Sequence, residues 1–104
     1  MLLRLEEDTF RDCESLKSID LPDYIGYIGG GCFQRSGLES VSLPRCLKVI
    51  EERTFYQCEN LRNVVFPKGL EKIGLFAFFQ TGFENVEFPA SLRTIAQGAF
   101  GKCE

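Results

Sequence analysis

The chain predicts a repeat solenoid, mainly β, and three observations predict it. Five of its phenylalanines, Phe10, Phe33, Phe55, Phe78 and Phe100, are spaced 23, 22, 23 and 22 residues apart. All four prolines, Pro22, Pro44, Pro67 and Pro89, fall at one phase of that period. Apolar residues recur at fixed offsets before each proline: Leu16, Ile19, Leu21; Leu38, Val41, Leu43; Leu61, Val64, Phe66; and Phe83, Val86, Phe88. A unit this short cannot bury its own apolar side, so successive units must stack on one shared core.

The first element of each coil is a short strand. Ile19-Asp20-Leu21 and its counterparts alternate apolar and polar with a period of two, the pattern of a strand with one buried face. Proline then ends the strand, because it has no N–H to give to a ladder. Ile19, Val41, Val64 and Val86 are therefore expected to stack in a parallel sheet with strands ~4.8 Å apart. The second element is the apolar pair three residues apart, Ile25 and Ile28, Leu47 and Ile50, Leu70 and Ile73, Leu92 and Ile95, expected as an extended segment on the opposite wall. The third is the stretch around each phenylalanine, such as Thr54 to Cys58, expected as one helical or 3₁₀ turn that plugs the interior with its ring. Coils alternate between FxxCExL (Phe10 to Leu16, Phe55 to Leu61) and Fxx[ST]GLE or its Phe variant (Phe33 to Glu39, Phe78 to Glu84), so the full unit is a pair of coils. Gly29 recurs as Gly74 at one phase and marks a turn.

One coil reads LxxIxLPxxLxxIxxxxF. With the Ala-Phe pairs at Ala77-Phe78 and Ala99-Phe100 and the trailing cysteines, this pattern resembles the BspA-like (Treponema-type) leucine-rich repeats over essentially the whole chain. The resemblance implies a right-handed leucine-rich-repeat coil, partner binding on the parallel-sheet face, and display on a cell surface. Cys32 and Thr54 stand where that family has alanine, and Ser36 and Thr81 where it has cysteine; these swaps conserve size and leave the fold expectation intact. At 104 residues the chain holds about four and a half coils, a single segment spanning 1–104. Leu2 and Leu5 take the phase of Ile25 and Ile28, and Cys103-Glu104 stops where another strand would follow. The expectation is a piece of a longer array, with uncapped ends open to self-association.

Chemistry finds little support. There is no histidine, which removes the usual general base, and no GxSxG, HExxH or CxxC. Glycines 29 to 31 lack the Lys-Ser/Thr of a phosphate loop. No catalytic residue, cofactor or metal is expected. Cys13, Cys58 and Cys103 lie at one phase in alternate coils, ~10 Å apart and beyond the ~7 Å reach of a disulfide, so they read as small buried groups. Cys46, beside Leu47 in a turn, is the candidate for the most reactive thiol. Unpaired cysteines fit a reducing interior, whereas the family resemblance leans towards the surface. A net charge of -3 argues against a nucleic-acid groove, and no run of ~20 apolar residues spans a membrane. Lys17, Glu39, Arg62 and Glu84, and likewise Lys48, Glu71 and Arg93, alternate in sign at fixed phases and are expected to pair as charge ladders.

Two surfaces remain. The outward strand positions, Ser18 and Asp20, Ser40 and Ser42, Asn63 and Val65, Asn85 and Glu87, are expected to form one polar sheet face about four strands wide that binds a protein partner. Near the closing turn, Tyr56, Leu75, Phe76 and Phe79 replace polar or small residues and are expected to form an apolar self-association patch. The leading reading is a non-catalytic protein-protein interaction module. Alternatives are a structural spacer in a longer array and a carbohydrate-binding adhesin segment.

Overall fold

The computed structural model describes residues 3–83 and 86–103. Seven short strands occur in chain order: β1 (Leu3–Leu5), β2 (Ile25–Ile28), β3 (Ser40–Ser42), β4 (Val49–Ile50), β5 (Asn63–Val65), β6 (Lys72–Ile73) and β7 (Thr94–Ile95). All pairings are parallel, and each joins equivalent positions of different repeats: β1 with β2, β3 with β5, and β4 with β6 with β7. Val41 faces Val64, and Ile50 faces Ile73, which faces Ile95. This is a repeat fold in which side chains one period apart become neighbours.

The core is a column of rings. Phe10, Phe33, Phe55, Phe78 and Phe100 stack with successive centroids 5.3, 5.4, 5.1 and 5.2 Å apart and planes within 6° of parallel. Carbon faces touch at ~3.5–4.0 Å, so this centroid spacing means each ring is slipped sideways over the next, the offset arrangement that the ring quadrupole favours. Leu38, Leu61, Leu47, Leu70, Ile50 and Ile73 close around the column, fully buried. In the later repeats the surrounding layer turns aromatic, with Phe66 edge-on to Phe78 at 5.8 Å and Phe88 edge-on to Phe100 at 5.5 Å. Ile95 shares the phase of buried Ile73 yet is 46% exposed, because a repeat packs against it from one side only.

Two expectations need correction. The strand wall drawn through Ile19, Val41, Val64 and Val86 is a regular ladder only between β3 and β5 among the described residues. Ile19 and Val86 still pack against the core, held by side-chain contact rather than by strand pairing. The opposite wall, formed by the Leu-x-x-Ile pairs, carries the longer sheet of three strands.

The second correction concerns the closing turns, since the described residues contain no helix. Around Phe55 the N–H groups alternate in direction. Those of Arg53, Phe55 and Gln57 donate to the carbonyls of Leu75, Ala77 and Phe79 in the next repeat, at 2.9, 2.8 and 2.8 Å. Those of Thr54, Tyr56 and Cys58 donate back within the turn, to Glu51, Arg53 and Phe55. The cause is a left-handed residue two positions before and two after each phenylalanine: Asp8 and Asp12, Gly31 and Arg35, Arg53 and Gln57, Phe76 and Gln80, Gly98 and Lys102, with φ between 54° and 71°. A 3₁₀ turn needs consecutive right-handed residues, and here the hand changes too often. Each non-glycine residue in that conformation costs roughly 1–2 kcal/mol. The cross-repeat hydrogen bonds that the alternation creates offset the cost.

The pairing of long and short repeats also has a physical basis. Long repeats carry glutamate four residues before and after the phenylalanine (Glu6 and Glu14, Glu51 and Glu59), and short ones carry glycine there (Gly29 and Gly37, Gly74 and Gly82). A Cβ on Gly37 would overlap the Glu14 carbonyl oxygen, and one on Gly82 would lie 2.8 Å from the Glu59 carbonyl oxygen. Gly29 meets the backbone of Glu6 and Glu7 in the same way, and Gly74 that of Ile50 to Glu52. The extra residue of a long repeat thus pushes its backbone onto its short neighbour, which can accept it only as glycine. Gly37→Ala should lower stability by about 1–3 kcal/mol in a urea melt, as overpacking against rigid backbone does. Gly69→Ala, whose Cβ would meet only the flexible end of Lys48, should change it by less than about 0.5 kcal/mol.

Candidate functional site

The outward face of β3 and β5 carries four of the expected partner-binding residues. Ser40 lies opposite Asn63 and Ser42 opposite Val65, and all four are exposed because Val41 and Val64 between them turn inward. Ser18 and Asp20 continue this surface on the first-repeat side without joining the ladder, and Glu87 is exposed on the other side. Asn85 lies outside the described residues, as does Glu84. Six of the eight, Ser18, Asp20, Ser40, Ser42, Asn63 and Val65, border one open groove of about 420 Å³. The side chains of Ser40, Ser42 and Asn63 make no hydrogen bond to the described residues, so their donors and acceptors face solvent. Val65 is the apolar exception, 62% exposed.

A second depression, of about 550 Å³, adjoins this groove at Val65 and has a mainly apolar floor of Leu43, Val65, Phe66 and Pro67. Asp23, Arg45 and Lys68 rim it. Sequence reasoning did not single these three out. The signal was the residue after each proline, which reads Asp23, Arg45, Lys68 and Ala90 along the stack.

The apolar patch expected near the closing turn takes a different form from a bare hydrophobic surface. Tyr56 stacks on Phe79 at 5.2 Å, and Phe76 stands edge-on to Phe79 at 5.6 Å. The Arg53 guanidinium lies 5.7 Å from the Tyr56 centroid and 5.6 Å from that of Phe76, in cation–π range. The Phe76 ring covers Gly98, and the Phe79 ring covers Gly101. The three rings are half-buried by one another, while Leu75 is 43% exposed.

Among the described residues, several steps of the charge ladders do not form as expected: Lys17 makes no ion pair with Glu39, and Glu71 makes none with Lys48 or Arg93; the same positions are instead joined through backbone, as in Glu71 N–H to the Lys48 carbonyl at 2.8 Å. Side-chain pairing across repeats occurs at the left-handed positions. Arg35 donates to Asp12 at 2.7 Å, and Gln57 donates to Gln80 at 3.1 Å. The Arg35 hydrogen bond holds the Asp12 carboxyl below the usual carboxylate range, so the pair persists at neutral pH and is lost as pH falls through that lowered value.

All five cysteines are free thiols. Cys58 donates from Sγ to the Phe33 carbonyl at 2.9 Å and lies 3.5 Å from Ser36 Oγ; Cys103 repeats this with Phe78 and Thr81 at 3.2 Å each. The cysteine and Ser/Thr phase thus ties turns together in two places, Ser36 to Cys58 and Thr81 to Cys103. Burial pushes the Cys58 thiol up and the Cys32 thiol up to about 11. Cys46 is exposed.

With this geometry in place, comparison with known proteins gives a family. The model described as BspA type Leucine rich repeat region (6 copies) matches residues 1–104. The chain belongs to the BspA-type leucine-rich repeat family. A search of curated proteins found no match. Among solved structures, the chain is similar to a leucine-rich repeat protein from Bacteroides ovatus ATCC 8483, with 20% identity and a TM-score of 0.41 over 98% of this chain and 44% of that one. The chain thus spans less than half the length of that protein. Of the cysteines at the family phase, only Cys58 is buried as expected; Cys13 and Cys103, in the first and last repeats, are partly exposed, and Cys46 is the fully exposed thiol. Native protein treated with iodoacetamide at pH 8 should label first at Cys46, with Cys32 and Cys58 modified only on unfolding, because the thiolate is the reacting species; peptide mass mapping against time checks the order.

Proposed function

We propose that the chain is a non-catalytic protein-interaction module: a right-handed leucine-rich-repeat solenoid that presents the β3–β5 face and its flanking grooves to a protein partner. Right-handed winding is the hand that parallel-strand connections take. The observation that carries the reading is the ladder Ser40–Asn63 and Ser42–Val65, whose outward side chains border a groove without being consumed by internal hydrogen bonds. Small polar groups on a rigid, in-register sheet supply specificity at little ordering cost, and the exposed Val65 supplies an apolar contact. A random peptide library selected on the immobilised chain should yield ligands that lose at least tenfold in affinity to Ser42→Arg/Val65→Arg and are unaffected by Lys72→Glu on the opposite wall. Ligands indifferent to the first variant would place binding elsewhere.

A second reading, self-association, is favoured by the gathering of Tyr56, Phe76 and Phe79 into one half-exposed cluster beside Leu75. Two copies meeting there would show concentration-dependent mass by light scattering. Phe76→Ser/Phe79→Ser should then shift the protein to monomer, and an unchanged mass would dispose of the interface.

A further inference from the structure

We propose that the depression beside Val65 is the seat for an extended acidic peptide: one apolar side chain of the partner rests on Val65, Phe66 and Pro67, and a neighbouring carboxylate meets Arg45 and Lys68. This deepens the interaction-face reading and rests on it. Three observations point to this occupant rather than to an apolar or basic one.

The first is the charge sequence of the rim. The post-proline residues Asp23, Arg45, Lys68 and Ala90 occupy equivalent places on successive repeats. Asp23 is committed to its neighbour, accepting from the Arg45 backbone N–H at 3.1 Å and lying 3.5 Å from the Arg45 guanidinium. That pairing neutralises Arg45, so Lys68 is left as the uncompensated cation of the rim, which carries one acid and two cations. The next position, Ala90, brings no acid to pair with it. Lys68 has no carboxylate within 4 Å among the described residues. A partner carboxylate would supply the counter-charge that Lys68 lacks, with the Arg45 guanidinium beside it.

The second is the contrast with the rest of the molecule. The chain carries a net charge of -3, so a surplus of positive charge at one rim is a local feature against an acidic background. Complementary charge of this kind selects partners and orients them as they dock. Asp20, which borders the adjoining groove on the first-repeat side, repels a carboxylate there and so directs the acidic end of the partner to Arg45 and Lys68.

The third is the floor. Val65 is 62% exposed and borders both depressions, so a trough spanning the two would pass over it. An extended chain lying in that trough would meet Ser42 and Asn63 with its backbone, Val65 to Pro67 with one side chain, and Lys68 with the next.

The test uses fluorescein-labelled dodecapeptide pools with random flanks and a fixed centre of Glu-Leu, Gln-Leu, Lys-Leu or Glu-Ser, read by fluorescence anisotropy at low salt. The Glu-Leu pool should bind at least tenfold tighter than each of the others and weaken as salt is raised. Arg45→Glu/Lys68→Glu should reverse the preference to Lys-Leu, while Val65→Ser should weaken Glu-Leu without changing its advantage over Lys-Leu; unchanged urea midpoints confirm that these exposed substitutions leave the fold intact. Equal binding of Glu-Leu and Gln-Leu, or a charge-reversed variant that keeps the original preference, would overturn the acidic seat. If peptides still lose affinity to Ser42→Arg in that case, the interaction-face reading stands without it; if no pool binds in a Ser42-dependent way, both readings fall. Concentration-dependent dimerisation that Arg45→Glu/Lys68→Glu abolishes would make the occupant a second copy and overturn the peptide assignment.

Discussion

The column of five phenylalanine rings is the constraint to which the other parts of the fold are fitted. A phenylalanine of the column touches its counterparts above and below, so the spacing of the repeats and the spacing of the rings must agree. Each ring pair contributes about 0.5–1.5 kcal/mol beyond the burial itself, and full burial of Phe33, Phe55 and Phe78 a further ~1.5–3 kcal/mol each. Because net stability, typically about 5–15 kcal/mol, is a small difference between large opposing terms, loss of a single ring would remove a large fraction of it. The column also sets direction: strands on both walls run parallel because every repeat must present its ring from the same side.

The turns show what the column demands of the backbone. To bring a ring inward while bonding to the next repeat, the chain changes hand twice around every phenylalanine. Arginine, glutamine, aspartate, lysine and one phenylalanine accept that conformation, and only two of the ten positions are glycine. Several of these residues gain a compensating contact from being there. Asp12 reaches Arg35, Gln57 reaches Gln80, Arg53 covers Tyr56 and Phe76, and Phe76 lies over Gly98. Surface decoration of the turn and its backbone geometry are thus one arrangement, and the aromatic cluster is part of it.

Most of the architecture was legible in the sequence because periodicity reports which residues must be neighbours. The phenylalanine column, the inward Val41 and Val64, the Leu-x-x-Ile wall and the burial of Cys58 all follow from phase alone. The left-handed turns were not legible, since the residues that occupy them carry no glycine signature and a period says nothing of backbone hand. The charge ladders misled for a related reason. Lys48, Glu71 and Arg93 do sit in line, but long exposed side chains gain little from pairing in water, and it is the backbones at these positions that meet. Of the surface residues, Ser40, Ser42, Asn63 and Val65 were found by simple alternation. Arg45 and Lys68 were missed because their meaning lies in a row running across the repeats, in which a charge of the wrong sign breaks the alternation.

The glycine shoulders at Gly29, Gly37, Gly74 and Gly82 bear on how such a chain can change in evolution. Because a 23-residue turn needs a 22-residue partner with glycine at both shoulders, the stack has a parity. Recombination that adds or removes two units at once preserves every backbone contact. Loss of a single short unit would set two glutamate-shouldered turns face to face with no room for the second, so arrays built this way should lose a short unit only together with a long neighbour.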